Sequence, residues 1–109
     1  MIKEKDLKAK IKKHLDSIGA YYYMVVPVGY GKQTVDFLCC INGFFISIET
    51  KTTGGKPTPR QALCIEEIRD AGGIAFCCDS YETYIEWISY AIEVADSARG
   101  VSKITKPNA

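Results

Sequence analysis

Val35-Asp36-Phe37-Leu38-Cys39-Cys40-Ile41-Asn42-Gly43-Phe44-Phe45-Ile46-Ser47-Ile48-Glu49-Thr50-Lys51 reads as two β-forming runs joined by a two-residue turn. Asn-Gly between apolar, β-branched and aromatic runs is a strong hairpin signal, because a type I′ turn needs positive φ at both central residues. With Ile41 and Phe44 flanking the turn, Asp36 falls opposite Glu49. Lys51 shares the face of Glu49 because side chains alternate along a strand. The Asp36–Glu49 pair falls in a non-hydrogen-bonded position, where facing side chains come closest. Two carboxylates about 4.5–5.5 Å apart at Cβ repel each other unless a cation sits between them. A divalent cation with oxygen ligands would resolve that conflict, and an ammonium beside it would position a water. The register therefore predicts a hydrolytic metal site.

The rest of the chain frames this hairpin. Its 109 residues, 47% hydrophobic and 25% charged, suit a single globular domain, here taken as residues 1–98 followed by a flexible tail at 99–109. No apolar run approaches the roughly 18–20 residues of a membrane span, and no signal-peptide core opens the chain. A cytoplasmic location without membrane attachment is the expectation. Five cysteines fit that compartment. Cys39-Cys40 and Cys77-Cys78 are vicinal pairs inside apolar runs, there is no C-x-x-C, and the sole histidine, His14, is remote. Buried reduced thiols fit these spacings better than a zinc site.

The net charge of +1 conceals an asymmetry. Residues 1–60 carry a balance of +5, residues 61–98 carry −7, and the segment from Arg99 adds +3. The hairpin site lies in the basic half, which suits a polyanionic substrate.

Leu7, Ile11, Leu15 and Ile18 have helical spacing from about Lys3 to Ser17, with Gly19 as a stop. Glu4 lies one turn before Leu7 on the apolar face. It is either an acid favoured by the helix dipole or a member of the acidic cluster. Ala20 to Val26 reads as a strand, closed by Pro27 and the loop Gly29-Tyr30-Gly31, which is not a phosphate-binding glycine motif. Strands at about 34–41 and 44–51 follow. One hairpin face carries Val35, Phe37, Cys39, Ile41, Phe44, Ile46 and Ile48; the other carries Leu38, Cys40, Phe45, Ser47, Asp36, Glu49 and Lys51. Beyond the loop holding Lys56, Thr58-Pro59-Arg60-Gln61 opens a helix as a capping box. Gln61 shares the inward stripe of Cys64, Ile65, Ile68 and Ala71, and Gly72-Gly73 ends the helix. Ile74 to Cys78 is a further strand. Asp79-x-x-Glu82 is expected to cap a last helix reaching about Ala98, with Tyr84, Ile85, Ile88 and Ile92 inward.

Asp followed by E-x-K on the adjacent strand resembles the PD-(D/E)XK nuclease superfamily, and the chain resembles its VRR-NUC family more closely. The residues that carry the likeness are Glu4, Gly29 to Gly31, Val35-Asp36-Phe37, Asn42-Gly43, Ile48-Glu49-Thr50-Lys51, Pro57-Thr58-Pro59-Arg60-Gln61 and Ala71-Gly72-Gly73. They span roughly residues 4–80. Val35 stands where many superfamily members have proline. The resemblance implies an α/β fold, a restriction-endonuclease-like α-β-β-β-α-β core with a C-terminal helix. It implies a metal-dependent DNA endonuclease, with branched or four-way DNA as a structure-specific variant. Asp36, Glu49 and the carbonyl of Thr50, joined by Glu4, would bind Mg²⁺ or Mn²⁺, with no organic cofactor. Lys51 would orient the attacking water and stabilise the transition state, and Gln61 would sit near the nucleophile or scissile phosphate.

Lys5, Lys8, Lys12, Lys32, Lys56 and Arg60 are the expected DNA-contacting cations. The small footprint of one lysine helix leads to the expectation of a homodimer, in the cytoplasm of a bacterial or phage-infected host cell. The alternative is a non-catalytic nucleic-acid-binding module using the lysine helix and the Tyr21–Tyr23 aromatics.

Overall fold

The computed structural model describes residues 2–25 and 35–101, with side chains to residue 98. The elements run α1 (Glu4–Ser17), β1 (Tyr21–Met24), β2 (Phe37–Ile41), β3 (Phe44–Thr50), α2 (Pro59–Asp70), β4 (Ile74–Cys78) and α3 (Tyr81–Val101). This is the α-β-β-β-α-β order with a C-terminal helix expected from the sequence. Among the described residues the sheet has four strands in the order β1-β2-β3-β4. The first three are antiparallel and β4 is parallel to β3, reached through α2. A parallel neighbour needs such a crossover because the chain must return to the same end of the sheet.

The hairpin has the expected register. Ile41 pairs with Phe44 and Phe37 with Ile48, across a turn with φ of 49° at Asn42 and 86° at Gly43. Asn42 also donates its side-chain amide to Asp96 of α3. The antiparallel ladder stops at Phe37, so Asp36 lies one residue outside it, at a bend. That bend interrupts the alternation and moves Val35. Expected on the face of Phe37, Val35 instead packs with Ile65, Ala75, Leu38 and Ile68 on the side of α2.

Helices cover the two faces unequally. Leu7, Ile11 and Leu15 of α1 and Tyr84, Ile88 and Ala91 of α3 enclose Phe37, Cys39, Ile41, Ile46, Ile48, Phe76 and Cys78. Each leucine, isoleucine and phenylalanine among them contributes about 1.5–3 kcal/mol through removal from water. The Tyr84 hydroxyl meets His14 Nδ1 at 2.7 Å, which satisfies the polar end of a fully buried ring. On the opposite face α2 packs mainly on β3 and β4. Tyr21 and Tyr23 of β1 are left 80% and 63% exposed, and Cys40 and Phe45 are also exposed.

Both later helix starts are capped by hydroxyls. Thr58 accepts from the Gln61 amide at 3.2 Å, while Gln61 Oε1 accepts from the Thr58 amide at 2.9 Å, so the expected capping box is present. For α3 the cap differs from the sequence reading. Ser80 Oγ accepts from the Thr83 amide at 3.1 Å, whereas Asp79 Oδ2 accepts from the Gly54 amide at 2.8 Å. Asp79 thus ties down the loop after Lys51. On α3 the fully buried stripe is Tyr84, Ile88, Ala91 and Ala95, with Ile85 and Ile92 at its partly buried border. On α2, Ala71 is exposed rather than inward, because the helix has already ended at Asp70. The last helix continues to Val101, past Ala98; residues 102–109, like the Gly29–Gly31 loop and Lys32, lie outside the described residues. Among the described residues no helix is long and apolar enough to cross a membrane.

Candidate active site

Where β2 breaks off, the side chain of Asp36 takes over the role of the main chain. Its Oδ2 accepts from the Thr50 amide at 2.8 Å and the Thr50 hydroxyl at 2.7 Å, closing the ladder beyond Phe37–Ile48. The Asp36 carbonyl meanwhile accepts from the Val25 amide at 2.9 Å, which ties the end of β1 to the same point. Oδ2 is therefore fully engaged by β3. The other oxygen, Oδ1, faces Lys8 Nζ of α1 at 3.3 Å.

Glu49 sits on β3 and is only 2% exposed. Strand geometry gives it no choice of face: its neighbour Ile48 is buried towards α1 and α3, so Glu49 points towards α2. Gln61 meets it there, donating from Nε2 to Glu49 Oε1 at 2.9 Å. The same amide closes the capping box through its Oε1. The capping and active-site explanations of Gln61 are thus one arrangement, in which the helix start fixes the amide that holds the carboxylate. Lys51, half-buried just beyond β3, places Nζ 4.0 Å from the same Oε1, its backbone pinned by a 2.9 Å bond from its amide to the Cys78 carbonyl.

Glu49 Oε2 is buried and has no hydrogen-bond partner. Burial and then the charge of Asp36 push the Glu49 carboxyl up to about 8, against weaker opposing pulls from Lys51 and Lys8. A buried carboxyl beside a second carboxylate keeps its proton because two desolvated negative charges cannot share the space. In the absence of a further cation, burial and the Asp36 charge together favour the protonated form of Glu49.

An Asp36/Glu49 pair with an orphaned buried oxygen fits a hard divalent cation. Mg²⁺ is commonly held by one or two carboxylates with waters completing the shell. Among the described residues, however, no group of three or more His, Cys, Asp or Glu side chains could hold a metal. Glu4, the half-buried first residue of α1, is accordingly not assembled with Asp36 and Glu49.

The structure thus brings together Asp36, Glu49, Thr50, Lys51 and Gln61. Lys5, Lys12, Lys56 and Arg60 are exposed and outside that cluster. Lys8, read from the sequence as a DNA contact, is paired with Asp36. Helical periodicity could not reveal that pairing, since it depends on where α1 crosses the end of the sheet. The donor role of the Thr50 side chain was equally hidden, because it exists only where β2 bends away.

The fold is that of a VRR-NUC-like domain. A solved structure described as "VRR_NUC domain" superposes with a TM-score of 0.70 at 22% sequence identity, covering 83% of this chain and 98% of that one. No protein-family model matches the sequence, and no curated protein matches it.

Proposed function

We propose that the protein is a metal-dependent DNA endonuclease that hydrolyses phosphodiester bonds. The observation that carries this reading is the pairing of partly buried Asp36 with buried Glu49 and its orphaned Oε2, flanked by Lys51 and Gln61, on a fold shared with a VRR-NUC domain. A polyanion-binding surface alone has no use for buried acids, which repel phosphate and carry a desolvation cost.

Asp36 and Glu49 would hold Mg²⁺ or Mn²⁺, with the Thr50 carbonyl and waters, rather than the Glu4 expected from the sequence, as further ligands. Such an ion, when bound, supplies charge stabilisation at the phosphate oxygens and lowers the pKa of a water. Lys51 would hold the attacking water and stabilise negative charge as it develops in the transition state. Because both ends of the Gln61 amide are engaged, its part is to orient the Glu49 carboxylate. The start of α2 adds an N-terminal dipole that favours the anionic substrate. The exposed Lys5, Lys12, Lys56 and Arg60, with Lys32, would bind the DNA backbone.

Cleavage of branched or four-way DNA is the structure-specific variant of this reading, carried out by a homodimer whose two sites address two strands. Tyr90 of α3, 55% exposed, is an available contact for pairing. One observation favours the second reading, a non-catalytic nucleic-acid-binding module: Tyr21 and Tyr23 stand exposed on the Glu49 face of the sheet, where bases could stack.

Labelled linear, flapped and four-way DNA incubated with Mg²⁺, Mn²⁺ or EDTA decides between the two. Metal-dependent cleavage that disappears in Asp36→Asn and Glu49→Gln supports the nuclease. Binding of all substrates without cleavage under any metal condition would establish the module instead.

A further inference from the structure

The four carboxylate oxygens of Asp36 and Glu49 are not equivalent. Asp36 Oδ2 is saturated by the amide and hydroxyl of Thr50. Glu49 Oε1 is held by Gln61, with Lys51 nearby. Two oxygens are left: Glu49 Oε2, which has no partner, and Asp36 Oδ1, which has only Lys8 Nζ at 3.3 Å. Lys8 therefore stands on one of the two oxygens that a metal would need.

We propose that Lys8 is an internal counter-ion, a placeholder cation that pairs with Asp36 while no metal is bound and yields Oδ1 when one arrives. The inference rests on the metal-dependent reading above and adds a residue to it. Two observations distinguish Lys8 from an ordinary surface lysine. Its side chain is only 33% exposed, whereas Lys5 and Lys12 on the same helix are exposed. It reaches a carboxylate 28 residues away in sequence that is fixed on its other side by β3. An ammonium cannot share Oδ1 with a divalent ion at close range, because like charges repel there more strongly than in bulk water. Metal binding must then move Lys8 off Asp36.

The test is calorimetric titration of Mn²⁺ and Mg²⁺ into wild type, Lys8→Met, Lys8→Arg and Lys13→Met at fixed pH and ionic strength. Lys13 is exposed on the same helix, so it reports any general effect of removing a positive charge. The Lys8→Met protein should bind metal tighter by about two- to fivefold, the range set by losing one partly exposed ion pair. Lys8→Arg should stay close to wild type, and Lys13→Met should not tighten binding. Without metal, Lys8→Met should melt below wild type and gain more melting temperature from saturating Mn²⁺; circular dichroism confirms that it is folded. Unchanged or weaker metal binding in a folded Lys8→Met protein, with wild type binding normally, overturns the placeholder role alone. Absence of metal binding in wild type and all variants overturns the metal reading and this proposal with it.

Discussion

Glu49 shows how one buried group can couple a proton to stability. Its carboxyl, ordinarily at 4.5, is raised to about 8 in the folded protein, so folding takes up a proton. The stabilisation from that proton is fully present below about pH 4.5 and is lost as pH rises through about 8. In EDTA, the wild-type melting temperature should therefore decline across that window, and Glu49→Gln should flatten the decline while keeping the buried volume. Parallel pH profiles for the two proteins would show that Glu49 is not the group responsible. Lys51 is a different case, since it touches the edge of the site rather than its centre. Lys51→Ala should lower kcat by about a hundredfold or more while leaving Mn²⁺ affinity within a few-fold of wild type, the pattern of a group that acts on the transition state. Equal turnover in the variant would reduce Lys51 to a neutralising neighbour. Gln61 was legible twice over, as a capping residue and as a site residue. That one amide both closes the cap and holds Glu49 could not be read from sequence, because the Nε2 bond to Glu49 depends on how α2 lies across β3.

At the scale of elements, hairpin and helix starts were readable because they depend on local chemistry. Asn42-Gly43 sets the turn through its positive φ angles, and Thr58 to Gln61 caps α2 through side chains three residues apart. The start of α3 was misread by one residue for a local reason with a distant cause: Asp79 is drawn away to the Gly54 amide, leaving the cap to Ser80. The two residues should separate in mutagenesis. Ser80→Ala should cost about 1 kcal/mol of stability in denaturant titrations without altering metal affinity. Asp79→Ala should instead loosen the loop that follows Lys51 and weaken catalysis. If both variants lose stability equally and neither changes turnover, the division of labour is wrong. On β1, Tyr21→Ala with Tyr23→Ala should weaken binding of single-stranded DNA more than of duplex, with little loss of fold because both rings are exposed. Equal losses for the two DNA forms in fluorescence anisotropy would argue against base stacking.

For the whole molecule, the uneven cover of the sheet is the feature that orders everything else. Two helices seal one face, α2 covers only part of the other, and the site lies where the ends of β1, β2 and β3 meet the starts of α1 and α2. One such domain presents a limited cationic surface to DNA. A symmetric dimer would double it, so light scattering at micromolar concentration should report a dimer, alone or with a four-way junction. A monomer in both conditions that cuts linear duplex at full rate would remove the reason for pairing.

What the sequence determined by itself was everything set by period and by near neighbours. The order of elements, the register of β2 on β3, the α2 capping box and the candidacy of Asp36, Glu49 and Lys51 follow from alternation, turn chemistry and spacing, whereas the site role of Gln61 was implied by the VRR-NUC resemblance. Tertiary structure decided which oxygens stay free. The bend at Asp36 turns its carboxylate into a ladder acceptor for Thr50 and moves Val35 across the sheet. The crossing of α1 brings Lys8, rather than Glu4, onto Asp36. Burial under α2 gives Glu49 its raised proton affinity. Those outcomes depend on residues far apart in the chain being desolvated together, and no local pattern encodes which charges will share a low-dielectric space.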